Sequence, residues 1–290
     1  MNLYGLLIGP FADFDFMRRA LAGAAVLSLG ACPIGVFLML RRMSLTGDAM
    51  AHAILPGAAV GFLVSGLQIL PMTVGGMIAG LAVALASGAV ARLTILKEDT
   101  SLAAFYLVSL ALGVMLVSLK GSSVDLMHVL FGSALALNAE ALMLTGGIAT
   151  VTLVALALIW RPLVAECLDP LFLRSVSRSG PVVHLIFLAL AVLNLVGGFQ
   201  ALGTLLAVGL MMLPAASARL WVKSLEAMVG LAVLIGVASS YVGLLASYHY
   251  GLASGPAMVL TAGAVYLASV FAGLRGVVRS RMKPLRHRAG

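Results

Sequence analysis

The sequence predicts an all-α integral membrane protein that crosses the bilayer eight or nine times. Three observations predict it. Of 290 residues, 62% are hydrophobic and only 10% are charged, where an ordinary globular domain carries about 25% Asp, Glu, Lys and Arg. The stretches Ala49–Ala91, Ser179–Ala218 and Ala227–Leu274 contain no Asp, Glu, Lys or Arg, and each is long enough to cross a bilayer twice. The basic residues gather on one side of the resulting arrangement. A soluble enzyme is excluded, because a soluble core of this mass needs a charged shell.

Crossing about 30 Å of hydrocarbon takes roughly 20 residues of helix. Cutting the apolar runs at their Pro, Gly and polar interruptions yields nine spans, near 20–40, 49–66, 71–91, 100–119, 140–160, 181–199, 201–218, 227–247 and 256–274. Ahead of them, Leu3–Phe16 is short, is broken by Pro10 and is expected along the membrane surface. The charges Asp13, Asp15, Arg18 and Arg19 make this start unlike a cleaved secretory signal, so the first span is expected to direct insertion. Turns of a few residues around Gln68–Pro71 and Gly198–Gly203 force antiparallel hairpins. Leu126–Leu137 is apolar but only 12 residues long, between Asp125 and Glu140, and is expected as a re-entrant half-helix. Gly57-Ala-Ala-Val-Gly61 and Gly76-Met-Ile-Ala-Gly80 have the small-xxx-small spacing that lets helix backbones approach in lipid.

Orientation follows from charge. With nine alternating spans, one face collects Arg41, Arg42, Arg92, Lys97, Arg161, Arg174, Arg178, Arg219, Lys223 and the basic tail 275–290, together 15 of the 18 Lys and Arg. The other keeps Arg18, Arg19 and Lys120. The basic face is expected to be cytoplasmic, with the C-terminus inside. Cys32 and Cys167 have no second cysteine nearby and read as packing residues.

The most informative stretch surrounds Asp48 and His52. Four residues apart on a helix, the two side chains project from one face, and a carboxylate oxygen plus an imidazole nitrogen can contact one divalent ion. Zn, Mn and Fe(II) suit such a pair. Pro56-Gly57 loosens the helix just beyond it. Two other roles stay open: Asp48 as a helix cap, and His52 as donor to a neighbouring carbonyl. Elsewhere at membrane depth, His184 has no acidic or Cys partner at i±3 or i±4 and reads as an interhelical histidine, while His249 in Tyr248-His249-Tyr250 reads as an interfacial anchor.

No GxxxxGK[ST] loop precedes any of the four lysines, so ATP, if used, is hydrolysed by another subunit. The chain itself is expected not to be an enzyme and to hold no permanent cofactor. Pro162–Pro181 is the one cytoplasmic loop with room for a docking element. Asp169-Pro170 suits a helix start, and Leu171, Phe172 and Val176 give an apolar face flanked by Arg174 and Arg178.

Leu40-Arg-Arg-Met-Ser-Leu-Thr-Gly-Asp-Ala-Met-Ala-His-Ala-Ile-Leu-Pro-Gly57, Gly203-Thr-Leu-Leu-Ala-Val-Gly-Leu-Met-Met-Leu-Pro-Ala-Ala-Ser-Ala-Arg-Leu220 and Leu252-Ala-Ser-Gly-Pro-Ala-Met-Val-Leu260 resemble signature segments of bacterial ABC-transporter permeases for zinc, manganese and iron. The resemblance covers nearly the whole chain. It implies a single permease domain over 1–290 with a vitamin B12-permease-like, type II importer fold in the bacterial inner membrane. It also implies two cytoplasmic ATPases, an extracytoplasmic metal-binding protein and a second permease copy. The family's Asp-x-x-x-His falls on Asp48 and His52 as a metal position, and its ATPase contact falls on the loop holding Asp169, Phe172 and Arg174. Zinc is expected first as cargo, then manganese or iron. A gradient-driven secondary transporter or exporter is the alternative, although no convincing repeat is visible and Asp48 is nearly the only intramembrane acid.

Overall fold

A computed structural model describes residues 3–66, 68–96, 98–119, 137–168 and 180–277. In chain order the helices are α1 (Leu3–Leu7), α2 (Gly9–Asp13), α3 (Asp15–Leu40), α4 (Ser44–Ala53), α5 (Leu55–Ser65), α6 (Ile69–Leu93), α7 (Glu98–Leu119), α8 (Ala139–Leu168), α9 (Gly180–Leu202), α10 (Thr204–Trp221), α11 (Leu225–Tyr250) and α12 (Ser254–Ala272). No strand occurs among the described residues. Among the described residues, nine segments are long and apolar enough to span a membrane, with α4 and α5 together making one such segment, Ser44–Ser65. They correspond to the nine spans expected from the apolar runs, most of them lengthened at their ends by polar and small residues that a hydrophobicity cut trims, and two, Thr204–Trp221 and Ser254–Ala272, shifted by two or three residues at unchanged length.

Helix α3 is the axis of the bundle. Its Ala20, Ala24, Leu27, Ala31, Ile34 and Phe37 are fully buried, and α9 and α10 pack on it with Leu195, Leu206 and Leu210. Around this core lie α8, α11 and α12, while α4 to α7 form a second lobe joined to it mainly through α9. The least buried spans are α6 and α7, which turn Leu70, Ile78, Leu85, Leu107 and Val108 outward. Apolar side chains facing out are what a lipid solvent permits.

Both glycine pairs lie where helices touch. A Cβ built on Gly57 would meet the carbonyl oxygen of Gly75 at 2.0 Å, and one on Gly61 would meet that of Pro71 at 2.6 Å. The α5 and α6 backbones are therefore in direct contact, as small residues allow in lipid. Gly76 and Gly80 instead admit Ile54 from the α4–α5 junction and Val196 and Val192 of α9. The hairpin between α9 and α10 turns on Gly203 alone, whose φ of 95° is a conformation side chains rarely adopt.

Several polar groups inside the bundle are satisfied locally. Asn194 Nδ2 donates to Thr152 Oγ1 at 2.7 Å and to the Leu190 carbonyl at 2.8 Å, and Thr145, Thr152, Ser217 and Ser240 each donate to the carbonyl four residues back. Pro33, Pro162 and Pro214 lie inside helices, a placement that membrane helices tolerate.

At the N-terminus, Phe11 stacks on Tyr241 of α11 with centroids 5.1 Å apart, and Tyr241 donates its hydroxyl to the Leu7 carbonyl at 2.9 Å. His249 meets the Leu6 carbonyl at 3.0 Å and Tyr248 edge-on, so α1 and α2 are pinned along α11. Cys32 donates its thiol to the Leu210 carbonyl at 3.2 Å and is fully buried, and both cysteines are free thiols. One boundary differs from the sequence expectation. The first part of the connector placed at Pro162–Pro181 is helical, because α8 continues through Pro162 to Leu168, and α9 starts at Gly180. Residues 169–179, with Asp169, Phe172 and Arg174, lie outside the described residues, as do 120–136, which include all but the last residue of the expected half-helix Leu126–Leu137, and the tail from 278.

Candidate metal path

The geometry of the site begins where α3 ends. Met43 N donates to the Leu38 carbonyl at 2.9 Å and Arg42 N to that of Met39 at 3.2 Å, with Arg42 at φ 60°. This is a Schellman closure with an arginine in the left-handed position usually held by glycine. The chain is thereby redirected into α4, which starts two residues later at Ser44.

On α4, Asp48 and His52 occupy one face. Asp48 Oδ1 stands 3.9 Å from His52 Nε2. Two donors bound at 2.0–2.2 Å to one ion are separated by at most about 4.2 Å, so a single divalent ion can bridge the pair with little movement. Both competing roles lack support. Asp48 is not at the helix start, where Met43 occupies the cap position, and His52 Nδ1 is buried with no hydrogen-bond partner. The Asp48 side chain is 64% exposed and that of His52 31% exposed, although the segment spans the membrane. A carboxylate on the outward face of a spanning helix calls for a counter-charge.

Two features of the site were not read from the sequence. The Tyr106 ring of α7 stands 6.2 Å from the His52 ring, and Ser109 Oγ donates to the Ala53 carbonyl at 2.9 Å, tying α7 to the end of α4. A tyrosine amid the apolar residues of its span was the available signal. Among the described residues, no group of three or more His, Cys, Asp and Glu is positioned to hold a metal. One chain therefore offers an ion two donors here.

Helix α5 follows with Pro56 in its first turn and Gly57 against α6, so the spanning segment bends just past the pair. His184, expected as an interhelical histidine, accepts from Arg41 of α3 and lies beside Glu166 of α8.

Residues 13–273 match the model of the ABC 3 transport family. The chain belongs to that family. Among its relatives, the manganese import system permease protein ScaB of Streptococcus parasanguinis is 34% identical over 91% of this chain and 93% of its own length. The chelated iron transport system membrane protein YfeD of Yersinia pestis is 29% identical over 98% of this chain and 94% of its own. The solved structure of PsaBC from Streptococcus pneumoniae in complex with Fab superposes with a TM-score of 0.83 and 33% identity, covering 93% of this chain and 96% of that one. The all-helical, nine-span architecture is thus the type II ABC permease fold that the sequence motifs implied.

Proposed function

We propose that this ABC 3 family member is the permease subunit of an importer for a divalent transition metal, with Asp48 and His52 forming a transient metal position on the path. The observation that carries the reading is the exposed carboxylate–imidazole pair, 3.9 Å apart, on a membrane-spanning helix. The carboxylate offsets part of the ion's charge, and the imidazole favours transition metals over Mg and Ca. Two donors hold an ion weakly enough to release it, whereas a closed set of four would retain it.

Water or the Asp48–His52 pair of a second permease copy completes the shell, and the outward exposure of Asp48 supports the second copy. Manganese is the favoured cargo and iron the next. The relatives named above are called manganese and iron proteins, and none of them carries zinc in its name. Zinc, put first by the sequence, stays chemically compatible with an O/N pair but has no such support.

ATP is hydrolysed by separate cytoplasmic subunits docked on 169–179, and an extracytoplasmic binding protein delivers the ion. Supporting this are the family membership and the lack of a phosphate-binding loop in the sequence. Both also favour ATP-driven import over the gradient-driven alternative. The basic ends of α3, α8 and α10 face the cytoplasm of a bacterial cell. The test is uptake by the full complex in proteoliposomes with manganese, iron(II) and zinc presented separately. ATP-dependent manganese accumulation that Asp48→Asn abolishes supports the reading, and accumulation unaffected by Asp48→Asn overturns it.

A further inference from the structure

Three ionisable side chains, from the C-terminal cap of α3, from α8 and from α9, meet in the bundle. Arg41 Nη2 donates to Glu166 Oε1 at 3.1 Å and to His184 Nδ1, and His184 Nδ1 stands 3.9 Å from Glu166 Oε1. The side chains of Arg41, Glu166 and His184 are only 11%, 13% and 17% exposed. The guanidinium also lies over the Phe187 ring, 5.2 Å from its centroid. Beneath it, Phe37 meets Trp160 and Phe187 edge-on, so α3, α8 and α9 are locked together at this level.

Burying an ion pair is a poor way to gain stability, since apolar residues of similar volume often do as well or better. Ionisable groups inside a membrane are by default functional. The cluster is also not saturated, because Arg41 Nη1 and Glu166 Oε2 are buried without a hydrogen-bond partner.

Its position in the chain indicates its use. Glu166 is two residues from the end of α8 and His184 is four residues into α9, so the cluster grips both ends of the 169–179 connector. Arg41 immediately precedes the left-handed Arg42, after which the chain enters α4 and reaches Asp48 and His52. A left-handed non-glycine residue at a helix junction is a sparsely populated conformation that the surrounding contacts must hold. Backbone hydrogen bonds from Arg42 and Met43 close the turn, and the side chain of the adjacent Arg41 ties it to Glu166 and His184.

We propose that Arg41, Glu166 and His184 are positioning residues that couple the α8–α9 connector to α4, so that displacing the connector turns α4 at Arg42 and repositions the metal pair. The coupling is carried by charge-assisted hydrogen bonds, which move as a unit because Arg41 Nη2 contacts both partners. This inference rests on the reading of 169–179 as the ATPase contact.

The experiment uses the full complex of permease, ATPase and binding protein in proteoliposomes, with Mn²⁺ as the probe, and reads the ions imported per ATP hydrolysed. Glu166→Gln keeps the shape and removes the charge. The ratio should fall about tenfold, a typical size for coupling between sites, while the ATPase still co-purifies. The double variant Arg41→Glu/Glu166→Arg should restore the ratio, because it re-forms the pair with the charges exchanged; a merely structural role would instead show in assembly and melting temperature and leave the ratio of the assembled complex unchanged. A parental ratio in Glu166→Gln overturns the inference, as does a double variant no better than the single one. If Glu166→Gln fails to assemble, the double variant alone decides in the same way. Failure of the docking reading is seen elsewhere, as undiminished ATPase co-purification with Phe172→Asp.

Discussion

Asp48 Oδ1 and His52 Nε2 face each other across 3.9 Å on one turn of α4, and the Asp48 side chain is exposed. An uncompensated carboxylate is costly in lipid, and on the proposed reading a metal ion supplies the compensating charge. Removing either donor should therefore affect transport before it affects folding. In reconstituted complex, Asp48→Asn and His52→Ala should each lower manganese uptake by about a hundredfold, the upper end for loss of a group that supports a metal site. Thermal unfolding in detergent should be unchanged. Parental uptake by both variants would send the ion elsewhere.

The sequence carries no phosphate-binding loop of the GxxxxGK[ST] type, and on the proposed reading ATP is hydrolysed by a separate subunit. Reconstituted alone in liposomes, the chain should accumulate no manganese against a gradient, with or without an imposed proton or sodium gradient. Accumulation driven by either gradient would return the chain to the secondary-transporter class.

The connector between α8 and α9 holds Phe172, whose exposure to water would be unexplained without a partner. Phe172→Asp puts a charge into the apolar contact an ATPase groove would make. Co-purification of the ATPase and stimulated hydrolysis should both drop while membrane insertion persists. A complex that withstands the change would make the segment a plain connector.

Gly57 and Gly75 place their backbones in mutual contact between α5 and α6. Gly57→Ala must push against a carbonyl rather than a flexible side chain, and should destabilise the protein by about 1–3 kcal/mol, the usual cost of overpacking. Gly88→Ala on the same helix α6 meets nothing within 4 Å and should be neutral or slightly stabilising, because alanine is the better helix former. The two melting temperatures in one detergent give the comparison. Equal values would mean that α5 and α6 separate readily.

What the sequence by itself determined is the class of the molecule, its nine crossings, the Asp48–His52 pair and the glycine contacts. Those follow from local rules: apolar length sets a span, a spacing of four sets a helix face, and a missing Cβ sets how near a backbone can come. Arg41 lies 125 residues from Glu166 and 143 from His184 along the chain, farther than any local pattern of residues reaches. His184 in particular has no acid at i±3 or i±4, yet Glu166 reaches it from α8. Only the packing of α3 against α8 and α9 decided that meeting, as it decided that α8 continues through Pro162 to Leu168. The physical reason is that pairings between helices depend on which faces the whole bundle buries together, and no window of sequence contains that choice.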